Sequence, residues 1–271
     1  MNNLSDSRDC AFEAFITNLG KYNEGELVGE WVKFPITNDE MQEVFKRIGI
    51  GQTDEFGQPY EEWFIADYDC PIPGLYDCLG EYASLDELNY LANKIEEMSG
   101  SERECFEAAV ELGEYTGSVQ DLINLTENLD CYNLYSDIHS DSDLGYYWAE
   151  ESGAYDTGAM GALSNYIDYE GFGRDIRFEE GGTFTDHGYI VGNQDRFIEQ
   201  YNGDREEIPD EYLVFTSVDE QELDEPADLP ISEPQAKPEK PSIRKQLAEN
   251  KEKCASVPKT GEKIKNNDLE V

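Results

Sequence analysis

The sequence predicts an α+β fold, an elongated chain of two to three small modules followed by a disordered tail. Three observations predict it. Strand-like runs stand near both ends of the aromatic part of the chain, without the alternating order that builds a parallel sheet. Between them lie helix-capping sequences, each ahead of a narrow apolar stripe. The last aromatic residue is Phe215, and beyond it Pro226, Pro230, Pro234 and Pro238 recur every four residues.

Taken in order, residues 1–10 form a flexible extension and residues 11–78 a mixed α/β module. Within that module, residues 12–19 and 27–34 have strand composition and are joined by a turn around Lys21. Thr37-Asn38-Asp39-Glu40 is a capping box, with Met41, Val44, Phe45 and Ile48 at helical spacing and Gly49 as the stop. Residues 62–68 are a further strand, and Pro71 and Pro73 break the chain.

Residues 79–130 form an acidic helical module. Ser84 to Glu87 and Ser101 to Glu104 are capping boxes, and Ser118 starts a third helix. Leu79-Gly80-Glu81-Tyr82 and Leu112-Gly113-Glu114-Tyr115 echo each other, and both lead into a helix. Two copies are too few for a solenoid. Residues 131–220 form an α+β module, with short helices over 144–151, 160–167 and 194–201 and strands over 183–191 and 211–218. Residues 221–271 form a Pro-rich linker and a basic tail that pack no core.

Charge narrows the function. The 271 residues carry 61 acidic and 20 basic side chains, net -41. Residues 237–271 carry nine basic and six acidic side chains, so the acidity belongs to residues 1–236, at net -44. Such a body does not bind nucleic acid directly, because gripping phosphates needs a basic patch. Nor does a single site need so much charge: a calcium loop uses a few carboxylates and a glycosidase two. No apolar run approaches the ~18 residues of a membrane span. The start, Met1 to Arg8, lacks a signal-peptide core. A soluble cytoplasmic protein with no membrane contact is the expectation.

Specific chemistry is hard to find. Six cysteines show no C-x-x-C pair, which predicts free thiols and no zinc site. His139 and His187 are expected at the surface or half-buried. No phosphate-binding glycine loop, zinc-protease motif or nucleophile elbow is present. The acid-rich run from Asp137 departs from a calcium loop at its sixth position, Ser142, and its twelfth, Trp148. No cofactor, no metal and no enzymatic activity are predicted.

Duplex DNA carries one negative charge per ~1.7 Å of axis, so 44 charges correspond to roughly 75 Å of duplex. Three segments then point to a family. The run from Leu19 to Trp31, LGKYNEGELVGEW, resembles the opening hairpin of the ArdA antirestriction proteins. LGEYASLDELN, from Leu79 to Asn89, is similar to their central antirestriction motif. NYIDYE from Asn165, followed by Gly173-Arg174-Asp175, resembles their C-terminal signature. Together they span about residues 12–192 in family order.

The resemblance implies a DNA mimic carried by plasmids, conjugative elements or phages, built of small modules in a row. It implies a homodimer formed through the C-terminal module. The partner it implies is a type I restriction-modification enzyme, its methyltransferase core with the specificity subunit. The protein would occupy that enzyme's DNA groove and block restriction, as members of the family do, often together with modification. Carboxylates replace phosphates there without any bond being made or broken. The expected acidic surface is Glu81, Asp86, Glu87, Glu96, Glu97, Glu104, Glu107, Glu111, Glu114, Asp121, Glu127 and Asp130. Trp31, Tyr22, Tyr82 and Tyr166 are expected in core packing. The alternative function is an acidic interaction protein or chaperone for basic DNA-binding proteins, without restriction specificity.

Overall fold

The computed structural model describes residues 10–215; the linker, the basic tail and most of the N-terminal extension lie outside the described residues. Within them the chain is α+β, with two separate three-stranded antiparallel sheets.

The first sheet is ordered β2-β1-β3, with β1 (Phe12–Asn18) between β2 (Gly29–Phe34) and β3 (Trp63–Asp69). Period-two alternation buries Phe12, Ala14 and Ile16 on one face. Phe15 and Trp31 pair on the other, with ring centroids 5.4 Å apart. The turn expected at Lys21 is a short helix, α1 (Leu19–Asn23). Asn18 makes it one: its side-chain oxygen caps the Lys21 N–H at 3.0 Å, while its amide donates to the Ile48 carbonyl at 3.1 Å. Helix α2 (Asn38–Ile48) has the expected ends, a Thr37–Glu40 capping box and Gly49 at a left-handed φ of 83°. Its Met41, Val44, Phe45 and Ile48 are buried.

After the one-turn helix α3 (Leu75–Cys78) come α4 (Leu85–Glu97), α5 (Gly100–Leu112) and α6 (Val119–Thr126). The expected box at Ser101–Glu104 is corrected to Ser99–Glu102, which offers the same spacing two residues earlier. The Ser84 box is only half formed. Ser84 caps the Glu87 N–H, but the Glu87 carboxylate accepts from the Tyr201 hydroxyl at 2.9 Å.

The second sheet is ordered β4-β6-β5. Strand β4 (Tyr132–Tyr135) has no counterpart in the sequence-based expectation, being too short to show alternation. The single strand expected over 183–191 is a hairpin, β5 (Thr183–Thr185) and β6 (Gly188–Gly192). The helix expected over 144–151 starts earlier, as α7 (Asp141–Tyr146), and continues into a π-helical turn at Tyr147–Glu151. Residues Thr157–Tyr166 form 3₁₀ turns broken at Gly161, and none of them is buried. Helix α8 (Tyr169–Glu180) crosses α7 so closely that a Cβ on Gly173 would lie 1.8 Å from the Asp141 carbonyl oxygen. Gly145 has the same constraint, 1.9 Å from the Tyr169 carbonyl.

No helix forms over 194–201, and the strand expected at 211–218 is instead a 3₁₀ turn, Asp210–Tyr212, and coil as far as Phe215. Residues 193–215 form an irregular strap laid over the helices. Apart from a few local turns, its backbone bonds to buried side chains instead of to a ladder, as burial requires. Asn128 accepts from the Ile198 N–H at 2.8 Å and donates to its carbonyl at 2.9 Å. Asn124 accepts from the Gln200 and Tyr201 N–H groups at 2.8 and 2.9 Å and donates to the Tyr201 carbonyl at 2.7 Å. Asn89 accepts from the Ile36 N–H at 2.7 Å and donates to the Tyr212 carbonyl at 2.8 Å. The main apolar cluster accordingly runs from Ala11 through α4, α5 and α6 to Phe215. A smaller cluster of Ile138, Leu144, Tyr189 and Val191 sits under α7.

Candidate functional site, the acidic helical surface

Residues 10–215 contain 46 acidic and ten basic side chains, net -36. Seven of those basic groups are held in ion pairs: Lys21, Lys46, Arg47, Lys94, Arg103, Arg177 and Arg205. They therefore form no free basic face, and far more carboxylates remain than they can neutralise.

The twelve carboxylates expected on the acidic surface divide into two sets. Asp86 is the farthest from expectation, at 3 % exposed. It accepts from Arg205 Nε at 2.7 Å, from the Val214 N–H at 2.7 Å and from the Phe215 N–H at 3.2 Å, so it anchors the strap. Glu87 is half-buried against Tyr201, and Glu97 accepts from the Tyr212 hydroxyl at 2.9 Å. Glu107 joins Arg103 Nε at 3.0 Å to His187 Nε2 at 2.8 Å. Glu96 lies 4.0 Å from Arg103, and Glu127 pairs with Lys94. These six serve contacts within the chain.

Glu81, Glu104, Glu111, Glu114 and Asp130 are exposed and Asp121 half-buried, and none of the six forms an ion pair among the described residues. Partial burial pushes the Glu111 carboxyl up; Asp186 adds to the shift, His187 opposes it and Glu107 adds a smaller share. Glu102, which the sequence reading did not select, is exposed on the first turn of α5. The Ser99 hydroxyl and then the Ser99 N–H hold it below the usual carboxylate range.

Two histidines stand as expected, His139 exposed and His187 half-buried. The aromatic expectation is corrected: Trp31 is 44 %, Tyr22 53 %, Tyr82 74 % and Tyr166 83 % exposed. Trp31 packs against Phe15 on the sheet face opposite Phe12, Ala14 and Ile16, and Tyr22 rests edge-on against Phe64. Missed by the sequence reading were the strap anchors Asp86, Asn89, Asn124 and Asn128. Their signal was available: Asp86 and Asn89 lie three apart on α4, and Asn124 and Asn128 lie four apart at the end of α6 and just beyond it, beside apolar positions.

Among the described residues, no group of His, Cys, Asp and Glu gathers as metal ligands, and no helix is long and apolar enough to cross a membrane. The hollows are open and shallow. A groove of about 740 Å³ runs between the starts of α4 and α6, past Asp77, Glu81, Tyr82 and Glu87. A hollow of about 410 Å³ on the other side of Tyr82 is lined by Trp63, Leu85, Arg205 and Phe215. Neither encloses a small molecule as enzyme pockets do.

One family model, described as antirestriction protein (ArdA), matches residues 14–191. No curated protein matches the chain. The matched segment begins within β1, takes in all the acidic helices and ends within β6, just before the strap.

Proposed function

The chain belongs to the ArdA antirestriction family, and from that premise we propose that it blocks restriction by mimicking duplex DNA. The observation that carries this reading is the acid left over after internal pairing. Seven of ten basic groups in residues 10–215 are tied up, yet the net charge there is -36. Exposed carboxylates on capped, packed helices have their backbone positions fixed before a partner arrives, which lowers the cost of binding. A groove lined with Lys and Arg to hold phosphates is the partner that such a surface fits.

The target in this proposal is a type I restriction-modification enzyme, at the methyltransferase core with its specificity subunit. Restriction is blocked, and modification is the second activity to measure. Residues 131–220 are the proposed dimerising module. Support comes from exposed apolar groups there, among them Tyr155 at 57 %, Leu163 at 66 % and Phe178 at 70 %. An isologous contact between two copies would cover them.

The test is displacement of labelled DNA from purified enzyme at several salt concentrations. Displacement is expected at low salt and should weaken steeply as salt rises. No displacement at low salt would falsify the mimicry. Equal binding to an unrelated basic protein such as a histone would favour the chaperone reading instead.

A further inference from the structure

The two Leu-Gly-Glu-Tyr copies have different fates. In the second, Tyr115 is held at a positive φ of 54° and lies face to face with Phe197 of the strap. The ring centroids are 3.7 Å apart and the planes 6° from parallel. In the first, Tyr82 is 74 % exposed, and no ring covers it among the described residues.

The backbone that carries Tyr82 is nonetheless fixed. The Ile65 N–H donates to the Glu81 carbonyl at 2.8 Å, and the Tyr68 hydroxyl donates to the Gly80 carbonyl at 2.8 Å. The Ala83 N–H closes the turn onto the same Gly80 carbonyl at 3.2 Å. Tyr82 therefore stands on a rigid turn at the edge of the groove of about 740 Å³ described above, and it separates that groove from the hollow lined by Arg205. Asp77, Glu81 and Glu87 line that groove, and no Lys, Arg or His does.

A negatively charged groove beside an uncovered aromatic face suits a planar cation. A guanidinium stacks on a ring and offers its edge to carboxylates at the same time, whereas an ammonium is a compact, strongly hydrated charge. We propose that this groove receives an arginine side chain from the basic surface of the protein's partner, stacked on Tyr82 and paired with Glu81 and Asp77. The inference rests on the DNA-mimic reading and adds a point of recognition that phosphate mimicry alone does not supply.

The full-length protein is titrated with two peptides of equal length and charge, nona-arginine and nona-lysine. The wild type should bind the arginine peptide about 2- to 5-fold more tightly, the range open to a contact on an exposed ring. The preference should persist in Tyr82→Phe and disappear in Tyr82→Leu, with affinity for the lysine peptide falling less than affinity for the arginine peptide. Circular dichroism checks that both variants fold, as a side chain this exposed allows. No preference for arginine, or a preference that survives Tyr82→Leu, overturns the proposal. The peptide experiment contains no restriction enzyme. Failure of the DNA-mimic reading would instead show as undisplaced DNA, so the two failures are distinguishable.

Discussion

Removing the Asp86 side chain should unfasten the strap. Asp86 is 3 % exposed, and its Oδ1 accepts from the N–H groups of Val214 and Phe215 while its Oδ2 meets Arg205 Nε. Asp86→Ala leaves two buried N–H groups without an acceptor, at about 1–3 kcal/mol each. Arg205 is half-exposed and bonds the Phe215 carbonyl as well, so water takes up much of its loss. The net cost is then about 3–5 kcal/mol, as when one partner is removed from a buried ion pair. For a folded body of this size that lowers the melting temperature by roughly 6–20 °C. Asp86→Asn keeps an acceptor for the two N–H groups but turns a donor toward Arg205, and should fall between wild type and alanine. Glu104→Gln, on the exposed face of α5, should stay within about 0.5 kcal/mol. Thermal melting followed by circular dichroism reads all three. An Asp86→Ala protein that melts within about 2 °C of wild type would refute the anchoring role. If that protein also displaced DNA poorly, Asp86 would return to the contact surface where the sequence placed it.

Gly173→Ala puts a methyl group where the Asp141 carbonyl already stands, 1.8 Å from its Cβ position, with backbone on both sides of the contact. The cost should be about 1–3 kcal/mol or more, visible as faster amide exchange in α7 and α8; unchanged exchange there contradicts it. Glu111 and Glu102 should carry opposite pH signatures. The raised Glu111 pKa means that the folded state holds its proton more tightly, so stability falls as pH rises from the usual 4.5 through the folded value. Glu111→Gln should therefore be more stable than wild type at neutral pH and match it in acid; a less stable variant at neutral pH has the wrong sign. The lowered Glu102 pKa gives stability that is present above 4.5 and lost as pH falls through the folded value. Glu102→Ala should melt lower at neutral pH and lose that acid dependence, and an unchanged melting curve would show that the cap contributes nothing.

The sequence made the regular parts legible and hid the irregular ones. Thr37–Glu40 and Gly49 mark both ends of α2, because capping is local chemistry between residues three apart. Phe12, Ala14 and Ile16 mark β1 because the strand period is two. The box at Ser99–Glu102 was misplaced by two residues because Ser101–Glu104 satisfies the same local pattern. The strap was missed for a different reason. Residues 194–201 have helical composition, but Asn124 and Asn128 supply the hydrogen bonds that a helix would have made internally. Those partners are about 70 to 77 positions away in sequence, beyond the reach of any local pattern. The candidate surface was legible as composition but not residue by residue. Asp86 and Glu104 both precede or follow apolar positions on capped helices, and only packing distinguishes the buried one from the exposed one.

The choice of strap anchors is itself consistent with a surface that must stay negative. Ion pairs across the same contacts would have fastened residues 193–215, but each would add a positive charge to the body. Asn38, Asn89, Asn124, Asn128 and Asn193 do the fastening with neutral amides, each donating to a carbonyl elsewhere in the chain. Asp86, Glu87, Glu102 and Asp121 stand in the first turns of their helices, where the positive end of the helix dipole favours a carboxylate and reduces the repulsion among them. The fold thus tolerates a net -36 over residues 10–215 by placing acids where backbone dipoles favour them and by joining distant segments through uncharged groups. Arg205 is the exception that fits, since it neutralises the one carboxylate of the acidic helices that is buried. A body held together this way leaves many of its carboxylates free to act outward, as the proposed exclusion of DNA from a basic groove requires.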